Sequence, residues 1–115
     1  MLDDLLPIVD AVGPELIVSE QAELAGPIAA ARAGVPNVTH GFGSLLPEIR
    51  LGRAADAVAP LWREHGLEPR PYAGTYAHLY IHIYPPALDG GTLPPYVGSV
   101  PSRLPAVAAA PPPAD

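Results

Sequence analysis

Two short apolar runs, each followed by polar residues, enclose an alanine-rich segment with helical periodicity. The first run is Leu16 to Val18, and it ends in the carboxylate of Glu20. The second run occupies residues 37–39, and Gly34 separates it from the helical segment. A glycine at this place ends a helix because it adopts the left-handed conformation without strain. Strand, helix and strand in this order predict a βαβ unit with parallel strands.

The polar residues that follow the two predicted strands are the candidate site. In open parallel sheets ligands bind beyond the carboxyl ends of the strands. Glu20 follows the first strand, and the second is followed by His40, Gly41, Phe42 and Gly43. Glycines on both sides of an aromatic residue allow the backbone to approach a ligand, and they make Phe42 a candidate pocket wall. The dinucleotide-binding fingerprint is rejected, because its third glycine position holds Leu46.

Helical spacing of apolar residues predicts two further helices. One begins at Leu2, carries its apolar face through Val12 and stops at Gly13. The other covers residues 48–65, and its face places Trp62 in the core. Both faces are typical of packing surfaces, so neither helix by itself indicates a chemical role.

Residues 76–84 predict a third strand because their side chains alternate. Aliphatic residues face one side, and His78, Tyr80, His82 and Tyr84 face the other. On a strand His78 and His82 lie roughly 13 Å apart, which is too far for one metal ion to bridge. We therefore expect no metal site, and a partly covered strand whose ring nitrogens meet solvent or backbone groups.

The remaining chain is rich in proline, and this sets the predicted domain organisation. Nine of the 17 prolines lie between Pro85 and Asp115. Proline cannot continue a helix or a central strand, so residues 1–88 are predicted to form a partial α/β domain and residues 89–115 a linker or tail. Residues 97–100 are expected to make at most a brief extended contact.

Composition excludes several classes of function. The chain of 115 residues has a formal net charge of -6, which argues against binding to a nucleic-acid backbone. No apolar stretch reaches the ~20 residues of a membrane span, and the acidic start is unlike a secretory signal. There is no cysteine, so no disulfide or thiolate metal site is available. A cytoplasmic protein is the default expectation.

Three segments together resemble bacterial family 1 glycosyltransferases with the GT-B fold. They are residues 15–43, residues 61–69 and residues 79–88, and the resemblance covers most of residues 1–100. Members of this family transfer a sugar from a nucleotide-sugar donor to a hydroxyl of a natural product such as a macrolide or polyketide. The resemblance implies that the chain is the second half of the N-terminal, acceptor-binding domain, with a Rossmann-like sheet of about three strands.

The resemblance also implies roles for the candidate residues. Glu20 stands where the family has the carboxylate that pairs with its catalytic histidine, and residues 40–43 would line the acceptor cleft. That histidine would lie upstream of Met1, and the donor-binding domain would follow Asp115. No metal and no tightly bound cofactor are implied, and the nucleotide of the donor is unknown. For Glu20 the alternative is a charge interaction with the N-terminus of the following helix.

Two other functions stay open. The chain could be a stand-alone module that binds a small molecule or complements another polypeptide without catalysis, or an unrelated α/β enzyme with Glu20 and His40 as its acid-base pair. The expected partners are a small-molecule acceptor and either the missing portions of the same enzyme or a second copy of this chain. A missing half-domain would leave the strand at residues 16–18 as an unpaired edge. Such a chain is expected to dimerise, aggregate or remain partly molten on its own.

Overall fold

The computed structural model describes residues 1–83 and 99–101, which form a parallel sheet with helices packed on it. The elements in chain order are α1 (Leu2–Val12), β1 (Ile17–Glu20), α2 (Ala25–Ala33), β2 (Asn37–His40), α3 (Glu48–Glu64), a 3₁₀ turn (Pro71–Gly74), β3 (Leu79–His82) and β4 (Ser99–Pro101). Neighbouring strands are parallel throughout, and the described sheet has the order β1-β2-β3-β4. The predicted partial parallel α/β architecture is confirmed.

Glycines end the first two helices as predicted. The φ angle is 60° at Gly13, which follows α1, and 71° at Gly34, which follows α2. The start of α2 differs from the simple helical pattern, because residues 21–24 form a turn and the helix begins at Ala25. The carboxylate of Glu23 accepts hydrogen bonds from the backbone N–H groups of Ala25 and Gly26 at 2.9 and 2.8 Å. These bonds satisfy donors that the first turn of a helix leaves without an intrahelical partner.

The main core lies between the three helices. The apolar face of α1 contributes Leu6 and Val9, α2 contributes Ile28, and α3 contributes Trp62, which is 1% exposed. The prediction that Trp62 is a core residue is therefore confirmed. Val12, at the end of the same predicted face of α1, is instead 70% exposed. It is the last residue of the helix and does not belong to the core cluster that Leu6 and Val9 form with α2 and α3.

The two faces of the sheet differ in the polarity of their side chains. Strand register places Val18, Val38 and Leu79 in one row and Ser19, Thr39 and Tyr80 in the next. The row with Tyr80 faces the helices, since a Cβ atom at Gly26 of α2 would lie 2.7 Å from the Ser19 side chain. The helix-covered face is therefore the more polar one, and the aliphatic row with Val18 is on the opposite face.

β1 is an edge of the described sheet. It pairs with β2 on one side, and its apolar residues Leu16 and Val18 are 47% and 60% exposed. This is the unpaired edge expected from the sequence for a sheet lacking its other half. Self-association through that edge stays a prediction.

The third predicted strand is shorter than expected, and a fourth one is added. Residues 75–78 form a turn and bend, so the strand is limited to Leu79–His82, and Tyr84 lies outside the described residues. The extended contact expected near residues 97–100 is observed as β4, which pairs with β3. The rest of the predicted linker or tail, and its boundary at residue 88, lie outside the described part of the chain.

None of the described helices is both long enough and apolar enough to cross a membrane.

Candidate functional site

Glu20 is the last residue of β1 and lies exposed at the carboxyl end of the sheet. Its Oε1 atom accepts a hydrogen bond from the backbone N–H of Ala22 at 3.1 Å. Glu23 accepts the backbone N–H groups of Ala25 and Gly26 in the first turn of α2. Because Glu20 accepts a backbone N–H in the turn that leads into α2, the alternative role considered for it, a charge interaction at the start of that helix, stays a prediction. Glu20 keeps an accessible carboxylate for a partner group.

His40 lies beside Glu20 at the same end of the sheet. The two residues are direct partners in the β1–β2 register, and both are exposed. Within residues 1–83 no ion pair joins them. The sheet thus brings together the two residues that sequence analysis considered as an acid-base pair, but their side chains make no bond to each other.

Gly41, the first glycine of the loop after β2, lies where there is no space for a side chain. Gly41 is buried, and its N–H donates a hydrogen bond to the carbonyl of Ile81 at 2.9 Å. A Cβ atom at this position would lie 2.6 Å from the Tyr80 hydroxyl oxygen. At Gly43, by contrast, an added Cβ atom would have no neighbouring atom within 4 Å, and Phe42 is 58% exposed.

Replacing Gly41 with alanine is expected to lower the free energy of unfolding by about 1–3 kcal/mol, because an added methyl group crowds a packed interior. The same change at Gly43 should cost less than about 0.5 kcal/mol, since surface substitutions rarely cost more. Urea unfolding followed by circular dichroism measures both. In a Tyr80→Phe background the cost of Gly41→Ala should shrink, because the nearest crowded atom is gone. An equal cost in both backgrounds would contradict this assignment of the crowding.

A cavity of about 280 Å³ opens at the same end of the fold, between the β1–α2 turn, α3 and the 3₁₀ turn. Its walls are mainly apolar, with polar groups from Gln21, Arg50, Tyr72 and Thr75. The lining residues are Gln21, Ala22, Leu24, Leu46, Arg50, Leu51, Ala54, Tyr72 and Thr75. The predicted loop residues 40–43 do not line it.

Tyrosines hold the walls of this cavity in place. The Tyr72 hydroxyl donates a hydrogen bond to Oε1 of Glu48 at 2.8 Å, and its ring packs edge to face on Tyr76 with centroids 5.9 Å apart. Tyr76 in turn packs on Tyr80, whose hydroxyl donates to Oε1 of Gln21. Tyr72 also has a φ angle of 52°, in a region that non-glycine residues rarely occupy and that is frequent at functional sites.

The sequence does not predict that these residues meet, because they come from three separate elements. Only Gln21 carried a usable signal, since it directly follows Glu20 at a strand end. Arg50 and Ala54 are one helical turn apart on α3, which places them on the same face of that helix. Nothing in the sequence indicates that this face meets the turn after β1.

The two histidines near β3 differ in their surroundings. Within the described residues no three histidine, cysteine, aspartate or glutamate side chains cluster. Nδ1 of His78 accepts a hydrogen bond from the backbone N–H of Asn37 at 3.3 Å, as expected for a ring that meets the backbone. His82 is 2% exposed because its side of β3 faces the helices, so of the two expected contacts, with solvent or with the backbone, solvent is excluded for this ring.

Comparison with known proteins finds similar proteins both in sequence and among solved structures. No family model matches the sequence. A segment of 51 residues, 44% of this chain, is 45% identical to L-demethylnoviosyl transferase of Streptomyces niveus and covers 14% of that protein. The described fold superimposes on SsfS6, a glycosyltransferase of Streptomyces sp. SF2575, with a TM-score of 0.64 and 30% identity. That match covers 80% of this chain and 25% of SsfS6.

The second solved structure supports the fold alone. The spinosyn forosaminyltransferase SpnP matches with a TM-score of 0.65 at 18% identity, over 89% of this chain and 31% of SpnP. The chain thus spans about a quarter to a third of the solved proteins that it resembles.

Proposed function

We propose that this chain, which is related in sequence and fold to natural-product glycosyltransferases with the GT-B fold, forms part of the acceptor-binding domain of such an enzyme. The complete enzyme would transfer a sugar from a nucleotide-sugar donor to a hydroxyl of a small molecule of polyketide or macrolide type. One observation carries the proposal. An accessible carboxylate, Glu20, ends a strand whose outer side is unpaired in the described sheet, so that a further strand can lie beside it.

The chemical role of Glu20 would be to orient and charge-stabilise a histidine supplied by that neighbouring strand. Its carboxylate would accept the N–H of one imidazole nitrogen, while the other nitrogen takes the proton of the acceptor hydroxyl. The hydroxyl oxygen would then attack the anomeric carbon of the sugar as the bond to the nucleoside diphosphate breaks. One displacement inverts the configuration at that carbon and needs no metal ion.

The loop after β2 would contribute to the acceptor side of the cleft. His40 lies beside Glu20, and Phe42 is exposed next to it, so both are accessible from the carboxyl end of the sheet. The donor nucleotide-sugar would be held by residues outside this chain, and no cofactor would be tightly bound here. On its own the chain is proposed to be inactive.

A chimera tests the proposal. The quarter of SsfS6 that matches this chain is replaced by residues 1–83, and sugar transfer is followed by the release of nucleoside diphosphate. In an active chimera Glu20→Gln should lower kcat by about 100-fold with little change in KM, because the neutral amide no longer stabilises the imidazolium. Glu15→Gln is the matched control, since Glu15 is exposed just before β1 and should leave both constants unchanged.

Two outcomes would count against the proposal. An active chimera in which Glu20→Gln retains full turnover removes Glu20 from the mechanism. A chimera that folds but transfers no sugar favours the second candidate, a binding or partner-complementing module. The exposed Leu16 and Val18 at the β1 edge are the observation that favours this second candidate. Its partner would be the missing portion of the same enzyme or a second copy of the chain.

A further inference from the structure

We infer that Tyr80, whose side chain is buried beneath the carboxyl end of the sheet, is a positioning residue for the Glu20 carboxylate. The inference rests on the proposed function, since it assigns a residue that sets the geometry of the proposed catalytic carboxylate. Three hydrogen bonds and one close approach connect the Tyr80 hydroxyl to the turn that follows Glu20.

The Tyr80 hydroxyl reaches the ends of two neighbouring strands. Tyr80 belongs to β3 and is 0% exposed. Its hydroxyl donates a hydrogen bond to Oε1 of Gln21, which directly follows Glu20 in the chain. A Cβ atom added at Gly41, which directly follows His40, would lie 2.6 Å from the same hydroxyl oxygen. One buried group therefore lies against the residues that follow both candidate site residues.

Gln21 is held at two points. Tyr80 holds its side chain, and its backbone N–H donates a hydrogen bond to the carbonyl of His40 at 3.0 Å. Gln21 is 3% exposed, so water cannot readily replace the Tyr80 hydroxyl as the donor to its carboxamide oxygen. Loss of the hydroxyl therefore removes one of the two points that hold the start of the turn after β1.

That turn orients the Glu20 carboxylate. The N–H of Ala22 donates a hydrogen bond to Oε1 of Glu20 at 3.1 Å. The Glu20 side chain is exposed, and within residues 1–83 no ion pair restrains it. The position of the Ala22 N–H therefore determines where the carboxylate lies. A shift of the turn would misplace the carboxylate relative to an imidazole partner, and small misplacements of catalytic groups lower rates strongly.

The kinetic arm of the test uses Tyr80→Phe in the chimera with SsfS6, because this change keeps the ring and removes the hydroxyl. We expect kcat to fall about tenfold with little change in KM, since a misplaced carboxylate slows the reaction more than it weakens acceptor binding. In a Glu20→Gln background the same change should lower kcat by less than about twofold, because the positioned group is already gone. Equal losses in the two backgrounds would overturn the inference.

Thr39→Val is the matched control. Thr39 is 1% exposed, lies beside Tyr80 in the strand register and carries a buried hydroxyl that has no hydrogen-bond partner in the part of the chain that the structure describes. Its replacement removes a buried hydroxyl from the same row of the sheet and should leave kcat and KM unchanged. A loss as large as that of Tyr80→Phe would show that turnover responds to any change in this row, and would contradict a specific role of Tyr80.

A spectroscopic arm needs no sugar transfer. The 115-residue chain is labelled selectively at alanine, and the amide proton of Ala22 reports its bond to Glu20 by NMR. Glu20→Gln should move this resonance upfield, because a carboxamide oxygen is a weaker acceptor than a carboxylate. In the Tyr80→Phe chain the same replacement should move it much less, whereas Thr39→Val should keep the full shift. If the isolated chain gives a collapsed spectrum, the chimera is labelled and judged by the same criteria.

Gln21→Met separates positioning from folding. This change and Tyr80→Phe each leave one buried polar group without its partner in this hydrogen bond, whereas the double variant removes both groups. The double variant should therefore recover part of the free energy of unfolding that each single variant loses, and its kcat should stay as low as theirs. Recovery of kcat together with stability would show that Tyr80 acts through folding alone, and would overturn the inference.

The two proposals fail separately. An inactive chimera in which the Ala22 resonance still depends on Tyr80 rejects sugar transfer and keeps the positioning role. A chimera whose turnover depends on Glu20 but not on Tyr80, with the same Ala22 shift in both Tyr80 backgrounds, rejects the positioning role and keeps the transferase.

Discussion

Replacing Trp62 with alanine is expected to lower the free energy of unfolding by about 3–5 kcal/mol. The indole is 1% exposed and belongs to the cluster that joins α1, α2 and α3. Its removal takes away a large apolar area and leaves a cavity that the neighbouring Ile28 and Leu6 cannot fill without moving. Since small domains are stable by only about 5–15 kcal/mol, this loss should remove much or all of the cooperative unfolding transition.

Urea unfolding followed by far-ultraviolet circular dichroism measures this effect without relying on tryptophan fluorescence. Ile49→Ala is the matched control, because Ile49 is on the same helix and is 66% exposed. It should change the free energy of unfolding by no more than about 0.5 kcal/mol. A loss at Trp62 no larger than the loss at Ile49 would show that α3 does not pack on the other helices as described.

Replacing Gly74 with alanine is expected to cost about 2–4 kcal/mol, from two physical sources. The φ angle of Gly74 is +78°, which a residue with a Cβ atom adopts only at a cost of about 1 kcal/mol or more. The added Cβ atom would also lie 3.1 Å from Cβ of Pro27 and 3.2 Å from the ring of Trp62, so it would crowd a packed interior.

Gly66→Ala separates these two sources. Gly66 has a similar φ angle of +70°, but no atom lies within 4 Å of the position of its added Cβ. Its cost should therefore be the backbone part alone, about 1 kcal/mol. The difference between the two variants in the same urea experiment measures the crowding at Gly74. Equal costs would mean that the 3₁₀ turn is not packed against α2 and α3.

Gly74 also links stability to the candidate cavity. The carbonyl of Gly74 accepts a hydrogen bond from the Asn37 side chain at 3.0 Å, which ties the 3₁₀ turn to β2. Tyr72 and Thr75, on either side of Gly74, line the cavity. The close packing of this turn therefore helps to fix the part of the cavity wall that Tyr72 and Thr75 form.

The sequence by itself determined the order and type of the elements, because each element is specified by a pattern of residues within its own segment. Helical spacing from Leu2, the glycine after each of the first two helices and the short apolar strands predicted a parallel α/β unit, and the structure confirms it. The resemblance to natural-product glycosyltransferases, carried by motifs in the same segments, is confirmed by the relatives found in sequence and structure. Glu20 and His40 were correctly expected at the carboxyl end of the sheet.

Tertiary structure alone decided which face of the sheet is covered and where the cavity lies. Alternation along β3 predicted that Tyr80 and His82 share a face, but alternation does not state which face the helices cover. That depends on the packing of α2 on β1 and β2 and of Leu51 of α3 with Tyr80, which buries the polar row, while Val18 on the other face stays exposed. The cavity likewise unites residues more than 20 positions apart, such as Gln21 and Arg50. No local sequence pattern predicts that such residues line one cavity, because their proximity results from contacts between elements that are distant in the chain.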